Sequence, residues 1–214
     1  IPVSVTSVGA NALSSCYALE AIVLPKGCTI SETWTFYDDK ALRIVSIPNG
    51  ILKIGTQVFR SCESLKSITL PDTLTEMSGF AIGYCRTIDE AIIPNSVTSI
   101  GDSALTWLAS ASKLVIGSGI TAIPASFASY CYSLIRIDFP AGITSIGASA
   151  FANCQGVILY NFTHCAAVPT LANTNAFTGI NANCKIQVPA SLVDEWKAAT
   201  NWATYADYIE GVTT

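Results

Sequence analysis

Prolines recur at a constant spacing along most of this chain. Their positions rise in steps of 23 from Pro2 through Pro25, Pro48, Pro71 and Pro94, and Pro140 resumes the series after Gly117, which occupies the one position without a proline. A fixed period of this length is the signature of a repeat architecture, in which each unit stacks on the next. The period therefore predicts a solenoid, in which each 23-residue turn forms one rung.

Apolar residues follow the same period and predict the inward face of every rung. The first column comprises Val5, Cys28, Ile51, Leu74, Val97, Ile120 and Ile143; the second comprises Val8, Ser31, Ile54, Met77, Ile100, Ile123 and Ile146; the third comprises Leu13, Phe36, Phe59, Ile82, Leu105 and Phe151, with Phe127 one place early. Stacking identical rungs places like residues over like, so each column predicts one continuous buried ridge.

The residues before each proline predict a short strand. In residues 65–70 and 134–139 the apolar side chains alternate, and the proline that follows cannot donate a ladder hydrogen bond. Stacked strands of this kind form a parallel sheet with about 4.8 Å between neighbours. The segment after the proline predicts a turn, a second small strand or a helical turn. Gly55, Gly101 and Gly147 recur there, where we expect a positive φ or a tight corner.

Two rungs depart from the pattern, and the C-terminal part departs further. Polar residues replace the usual apolar ones at positions 31–39, and residues 107–111 are also irregular. Both are interpreted as local bulges, with a ligand-contacting irregularity as the alternative. After Phe162 the period stretches, since the interval from Phe151 to Phe177 is longer than one repeat. We therefore predict a solenoid of about seven rungs over residues 1–162, and an irregular last rung with a capping segment over residues 163–214.

The capping segment predicts a last strand followed by a helix. Residues 184–189 alternate as a strand, and residues 190–199 have a helical pattern in which Ser191 is the N-cap and Asp194 its capping-box partner. Leu192, Trp196 and Ala199 would share one face, and Trp202, Tyr205 and Ile209 continue the apolar pattern. An open solenoid end exposes a hydrophobic layer, so a terminal cap is expected.

Five of the eight cysteines occupy a single column. They are Cys16, Cys62, Cys85, Cys131 and Cys154, and Asp39 and Leu108 take the remaining two positions. A ladder of buried thiols that pack as small hydrophobes explains this column best. Disulfides remain an alternative because neighbouring rungs would place Cα atoms about 5 Å apart. The candidate pairs are Cys62 with Cys85, Cys131 with Cys154, and Cys165 with Cys184.

The repeated pattern Leu-x-x-Ile-x-Leu-Pro-x-x-Val-Thr-x-Ile-Gly-x-x-Ala-Phe-x-x-Cys resembles the BspA-like leucine-rich repeats of bacterial surface proteins. The clearest copies are residues 65–85 and 134–154, and the match covers about residues 1–162. The resemblance implies an α/β leucine-rich-repeat solenoid with a parallel sheet on one face, which the helical cap closes. It also implies a secreted or surface-anchored chain that binds host matrix proteins, other cells or glycans. Because the first residues already lie inside a rung, we expect a fragment of a longer secreted protein.

Composition and isolated motifs argue against several other functions. The net charge is −4 and no basic run is present, so binding to nucleic-acid backbones is not expected. The apolar runs are shorter than the roughly 18 residues of a membrane span. The single histidine, His164, precedes Cys165, and adjacent side chains rarely face each other as a nucleophile and its base must. We therefore predict no catalytic residue, no metal site and no cofactor.

The outward positions of the predicted sheet form the candidate binding surface. Its residues are Arg43, Ile44, Lys66, Asp89, Glu90, Ile92, Lys113, Arg136 and Asp138. We predict a non-enzymatic, extracellular recognition or adhesion module, a monomer that binds a protein or glycan of a host or neighbouring cell through this face. One alternative is a solvated face with weak cross-strand ion pairs. The other is a structural spacer that displays another domain of a longer surface protein.

Overall fold

The computed structural model, which describes residues 1–213, is a solenoid of stacked rungs with a parallel sheet along one side. The strands of this main sheet are Ala21–Val23, Ile44–Ser46, Glu90–Ile92, Lys113–Val115, Arg136–Asp138, Leu159–Asn161, Lys185–Pro189 and Ile209–Val212. Most neighbouring strands pair in parallel with partners one period apart, as Glu90 pairs with Lys113. The predicted solenoid and its parallel sheet are therefore confirmed.

The main sheet is interrupted in the third rung. The first two strands form a two-stranded sheet and the other six form a second sheet, and no strand lies between Ser46 and Glu90 on this side of the described chain. The chain still passes in register there, because the Asp89 N–H donates to the Lys66 carbonyl oxygen at 3.0 Å. The stacking of the rungs therefore continues through a local break in the ladder.

A second set of strands follows the prolines. These strands have two residues each: Lys53–Ile54, Glu76–Met77, Ser99–Ile100, Ala122–Ile123, Ser145–Ile146 and Thr170–Leu171. They form two parallel sheets of three strands. Of the three local structures that the sequence left open after the proline, the structure has the small strand, and a turn follows it.

The predicted columns form the core. Phe36, Phe59 and Phe151 are at most 1% exposed, and the rings of Phe36 and Phe59 stack at 5.3 Å between centroids. The residues that precede the proline position, such as Leu70 and Phe139, are also buried. Within the columns Val5, Leu13 and Ile100 are only partly buried. The inward face of the rungs was therefore predicted correctly, apart from one position in the second rung.

That position is Ser31, which was assigned to the second column. Ile30 takes it instead: it is fully buried and bridges to Ile54, an interval one residue longer than the period. The preceding bridge, between Ser7 and Thr29, is one residue shorter than the period, so the short and long spacings cancel. Because burying an aliphatic side chain is more favourable than burying a hydroxyl, the rung shifts by one residue to place Ile30 inward.

The recurring glycines are required by close packing and not by a positive φ. Gly55, Gly101 and Gly147 all lie outside the left-handed region, so that part of the prediction was wrong. A Cβ atom on Gly101 would lie 2.5 Å from the Gly79 nitrogen, and one on Gly147 would lie 2.6 Å from the Ala125 nitrogen. Glycine recurs at these positions because the backbone of the neighbouring rung leaves no room for a Cβ atom.

The cysteine column is a ladder of free thiols, of which Cys62, Cys85, Cys131 and Cys154 are buried and Cys16 is partly exposed. The Cys62, Cys85 and Cys154 thiols donate to backbone carbonyl oxygens at distances of 3.2, 3.0 and 3.1 Å. All eight cysteines are free, so none of the candidate disulfides forms. Burial raises the pKa of Cys154 to about 12, and that of Cys165 and Cys184 to about 11. These thiols therefore pack as small hydrophobic groups and are not reactive nucleophiles.

The cap closes the C-terminal end with helical turns and one further strand. A 3₁₀ helix, Ala190–Leu192, leads into the α-helix Val193–Ala198, and a second 3₁₀ helix, Trp202–Tyr208, leads into the strand Ile209–Val212. This strand pairs with Lys185–Pro189. The prediction that residues 184–189 form the last strand is therefore wrong, because one more strand follows. Trp196 and Trp202 are fully buried, and the Trp202 indole N–H donates to the Pro169 carbonyl oxygen at 2.7 Å.

The predicted N-cap at Ser191 is wrong. Leu192 is the N-cap of the α-helix, and no side chain caps it. The reason is that the 3₁₀ helix starts directly after Pro189, which places Ser191 inside a helical turn and not before it. The stretched rung is confirmed, because the pairing of Leu159 with Lys185 spans more than one period.

Candidate binding surfaces

The predicted binding residues lie on the outer side of the main sheet. All nine are exposed: Arg43, Ile44, Lys66, Asp89, Glu90, Ile92, Lys113, Arg136 and Asp138. Six of them lie on strands, where alternate residues point outward and the intervening ones fill the core: Ile44, Glu90, Ile92, Lys113, Arg136 and Asp138. Arg43 and Asp89 directly precede strands, and Lys66 occupies the equivalent position of the third rung. We call this surface the sheet face. It also includes the exposed aliphatic residues Val23, Val115, Ile135 and Ile158.

Several charged side chains of the sheet face pair with each other. Lys113 Nζ lies 3.3 Å from a Glu90 carboxylate oxygen on the neighbouring strand. Arg136 binds Asp138 through two nitrogens on the same strand, with Nη2–Oδ1 and Nε–Oδ2 distances of 2.7 and 2.8 Å. The Arg136 guanidinium holds the pKa of the Asp138 carboxyl below its usual range. Exposed pairs of this kind add little stability, but they fix the orientation of the side chains.

Two aliphatic patches lie beside these charges. Ile92 pairs with Val115 in one patch. Ile135 and Ile158 are neighbours in the other, where the Ile158 N–H donates to the Ile135 carbonyl oxygen at 2.9 Å. Ile135 and Ile158 are 53% and 50% exposed. The sheet face therefore combines apolar contact area with paired charges.

A second surface was missed from the sequence. It lies on the segment of each rung between the small strand and the next main strand. We call it the aromatic strip, and it comprises Trp34, Tyr37, Arg60, Phe80, Tyr84, Arg86, Trp107, Tyr130 and Tyr132. Tyr84, Trp107 and Tyr130 follow one another at intervals of exactly one repeat, so the period contains a signal that could have found the strip.

The central rings of the strip stack along the solenoid. The Tyr84 and Trp107 rings lie 5.9 Å apart between centroids with planes 16° apart, and Trp107 and Tyr130 lie 4.6 Å apart with planes 10° apart. Tyr132 meets Trp107 edge-on at 5.8 Å. Because the rings lie one over another, their broad faces contact each other.

The backbone beneath the strip has an uncommon conformation for such large residues. Phe80, Tyr84, Trp107 and Tyr130 all have φ between 54° and 63°. Asparagine and serine adopt this left-handed region at equivalent positions of other rungs, such as Asn153, where φ is 61°. The conformation is thus a property of the rung, whereas the aromatic side chains are specific to a few rungs. Bulky residues are rare in this region and carry a conformational cost there.

Two arginines lie over the rings of the strip. The Arg60 guanidinium lies 4.7 Å from the Phe80 ring centroid and 5.0 Å from that of Tyr84. Arg86 lies 5.1 Å from the Trp107 centroid. Within residues 1–213, neither guanidinium has a carboxylate oxygen within 4.0 Å. Both cations are therefore held by ring faces and not by acidic side chains.

The residues that were considered for catalysis and metal binding do not converge. His164 is exposed, whereas the adjacent Cys165 is buried and its thiol points toward the Pro140 carbonyl oxygen at 3.9 Å. Over residues 1–213, no three His, Cys, Asp or Glu side chains are grouped so that they could hold a metal ion. The α-helix has six residues, and the helices of this part of the chain are too short or too polar to cross a bilayer.

The repeats of this chain match those of a known protein family. The BspA type leucine-rich repeat region matches residues 1–111 and 35–158, with six copies. The chain belongs to this family. No curated protein matches the chain.

Solved structures of bacterial leucine-rich-repeat proteins have the same fold. The chain aligns with a Treponema pallidum leucine-rich repeat protein at 21% identity and a TM-score of 0.65, over 71% of each chain. A Bacteroides ovatus leucine-rich repeat protein aligns at 20% identity with a TM-score of 0.60, over 86% of this chain and 58% of that protein. A leucine-rich cell surface protein of Faecalibacterium prausnitzii aligns at 22% identity with a TM-score of 0.57, over 92% of this chain and 67% of that protein. At these identities the likeness shows the fold alone.

The aromatic strip occupies variable positions of the BspA-type repeat. Tyr84 and Tyr130 directly precede the cysteines Cys85 and Cys131, at positions where the repeated pattern specifies no residue. Trp107 precedes Leu108, which takes the cysteine position of its rung. The family pattern thus explains the core columns and the backbone, and it leaves the residues of both candidate surfaces unspecified.

Proposed function

We propose that this chain is a non-enzymatic recognition or adhesion module of a bacterial cell-surface protein. It binds a macromolecule of a host or neighbouring cell, a protein or a glycan, through the sheet face. We place it outside the cell or anchored to its surface, and it acts as a monomer. The observation that carries the proposal is the pair of exposed aliphatic patches, Ile92 with Val115 and Ile135 with Ile158.

The composition of the sheet face supports binding. A contiguous apolar area rimmed by polar groups is typical of an interaction site. Here the charged side chains of Arg136 and Asp138 lie between the patches and hold each other through the contacts described above. The backbone beneath is a parallel sheet over a packed core, so binding would order few groups and lose little conformational entropy.

The alternative proposal is a structural spacer that displays another domain. The internal pairing of charges favours it, because Glu90 with Lys113 and Arg136 with Asp138 satisfy each other without a partner. A regular stack of rungs also forms a stiff rod, since each rung contacts its neighbours in the same way. The two proposals differ in one property: only a recognition module loses attachment when its outward side chains change.

The test uses two variants of the sheet face on an array of matrix proteins and glycans. The first combines Arg43→Glu, Lys66→Glu, Asp89→Lys and Glu90→Lys, in which the four reversals cancel, so the net charge stays at −4. The second, Ile135→Ser with Ile158→Ser, removes one aliphatic patch. Thermal melts and circular dichroism confirm that each variant is folded.

Recognition through the sheet face predicts that the parent chain binds at least one array component and that both variants lose this binding. The control is Lys26→Gln with Lys197→Gln, which alters two exposed lysines outside both candidate surfaces and should bind as the parent does. The spacer is supported instead if the parent binds nothing, or if both folded variants bind as strongly as the parent.

A further inference from the structure

The aromatic strip presents hydrogen-bond donors that the protein itself does not use. The hydroxyl groups of Tyr84, Tyr130 and Tyr132 and the indole N–H of Trp107 have no hydrogen-bond partner among residues 1–213, and these groups lie on partly or fully exposed side chains. Aromatic edges also carry the positive end of the ring quadrupole. The exposed rim of the stack therefore suits an acceptor-rich partner.

The two arginines add positive charge to this rim. Arg60 donates one hydrogen bond, to Gln57 Oε1 at 2.9 Å, and its Nε is buried without a partner. Arg86 and Glu63 occupy the same position in consecutive rungs, yet they form no ion pair within 4.0 Å. By contrast, Lys53, Lys113 and Arg136 each have a carboxylate within 3.3 Å. Arg60 and Arg86 are thus two of the six basic side chains that form no ion pair within residues 1–213; the others are Lys26, Arg43, Lys66 and Lys197. Of these six, only the two arginines of the strip lie over aromatic rings.

The stacking limits which ligands can use these rings. A neutral sugar would pack its ring against a broad aromatic face, but the faces of Trp107 are covered by Tyr84, Tyr130 and Arg86. Tyrosine, tryptophan and arginine together are the residues that most often dominate binding energy at protein interfaces. Guanidinium groups bind carboxylates through two parallel hydrogen bonds, which gives direction as well as attraction.

We infer that the aromatic strip is a second interaction surface, which binds an acidic segment of a partner protein. Aspartate and glutamate side chains of that segment pair with Arg60 and Arg86, and its carbonyl groups accept hydrogen bonds from the edges of Tyr84, Trp107 and Tyr130. The segment runs along the solenoid axis, across successive rungs. This inference is independent of binding through the sheet face, since the two surfaces share no residue.

The experiment pans a phage-displayed library of random 12-residue peptides on the intact chain and on an Arg60→Gln/Arg86→Gln variant. We expect the peptides from the parent chain to be enriched in aspartate and glutamate relative to the starting library. Their dissociation constants, measured by fluorescence anisotropy with synthetic peptides, should rise about tenfold or more for each arginine that is replaced. The affinity should also fall with added salt, because the contacts are ionic.

Matched variants separate the strip from general electrostatics and from misfolding. Lys26→Gln with Lys197→Gln removes the same two charges elsewhere and should leave the affinity unchanged. Arg86→Gln alone alters an exposed side chain, so it remains informative if replacing Arg60 unfolds the rung. Arg86→Lys keeps the charge but loses the paired geometry, and it should bind with intermediate affinity.

Four results would overturn the inference. Selected peptides without acidic enrichment would show that the strip does not recognise carboxylates. Equal affinity for the parent chain and the folded arginine variants would place the peptide site elsewhere, and equal losses in the lysine control would leave only general charge attraction. Stronger binding of a polyuronate, with displacement of the peptides, would assign the strip to an anionic glycan. The sheet-face variants should not alter peptide affinity, so failure here leaves the proposed function untouched.

Discussion

Two adjacent rungs bury different residues at the cysteine position. In the third rung, Cys62 is fully buried and its thiol donates to the Phe36 carbonyl oxygen at 3.2 Å. In the second rung, Asp39 takes the cysteine position, is equally buried, and accepts a hydrogen bond from the Cys16 N–H at 2.7 Å. Its second carboxylate oxygen has no partner in the described structure. The solenoid core can thus hold a buried aspartate when one carboxylate oxygen accepts a backbone N–H, but the other oxygen is left without a hydrogen bond.

The largest expected effect is at the aromatic column of the third rung. Phe59→Ala should lower the free energy of unfolding by about 3–5 kcal/mol, because it leaves a cavity in a column that is packed from both sides. Phe59 is fully buried and stacks on Phe36 at 5.3 Å. Urea unfolding followed by circular dichroism measures the change. A loss under about 1 kcal/mol, far below the usual range for such sites, would mean that the column does not carry the core as described.

The irregular rung should respond in the opposite direction. Asp39→Asn removes the buried charge and keeps an oxygen to accept the Cys16 N–H, so it should stabilise the chain by about 1–3 kcal/mol at pH 7.5. Burial raises the pKa of the Asp39 carboxyl from 3.8 to about 6. The folded state therefore holds this proton more tightly, and its stability falls as the pH rises from about 4 to about 6.

Thermal melts of the parent chain and the Asp39→Asn variant between pH 4 and pH 8 test whether the stability of the parent chain falls as the pH rises. The difference between them should be small near pH 4 and should reach its full value above about pH 6. A constant difference over the whole range would show that the carboxyl does not titrate as a buried group.

The sequence predicted the columns because their spacing is constant. Phe36, Phe59 and Phe151 follow from adding 23 repeatedly, since equivalent side chains must lie over each other. Ser31 was misplaced because a short spacing and a long one cancel, which leaves the period intact on either side of Ile30. The total length of a repeat does not reveal a shift of one residue within it.

The cap and the aromatic strip were harder to predict, for different reasons. The start of the α-helix depends on a 3₁₀ helix that follows Pro189, and such short helices have weak sequence signals. Tyr84, Trp107 and Tyr130 are neither on a strand nor in the core, so the alternation of inward and outward strand residues does not predict them. Only Trp107 lies in a rung that the sequence marks as irregular. Their stacking became evident only from the backbone of the turns.

A smaller effect is expected one rung further along the cysteine column. The Cys85 thiol is fully buried and donates to the Phe59 carbonyl oxygen at 3.0 Å. Cys85→Ala removes both the packing and this contact, so it should cost about 1–2 kcal/mol, less than Phe59→Ala because fewer atoms are removed. Urea unfolding under the same conditions gives the comparison. If both substitutions cost the same, the thiol column would be as important as the aromatic one.

The smallest effect is expected on the sheet face. The combined reversal of Arg43, Lys66, Asp89 and Glu90 should change the free energy of unfolding by about 0.5–1 kcal/mol at most, because exposed ion pairs contribute little. The same urea titration measures it. A loss comparable to that of Phe59→Ala would show that these side chains support the fold, and the binding test described above would then need single substitutions.

Neighbouring rungs are related by a constant offset of 23 residues, so one rung can be added or removed without changing the contacts of the others. Side-chain contacts such as Thr73 Oγ1 with the Gly50 N–H and Asp102 Oδ1 with the Ala125 N–H join residues exactly one rung apart. Duplicating residues 94–116 would therefore lengthen the rod by one rung and keep the same joints at both ends. The closing segment is different, because Leu159 meets Lys185 only after a longer stretch of chain. Recombination can therefore change the number of rungs before Leu159. The longer segment between Leu159 and Lys185 must be kept together with the cap.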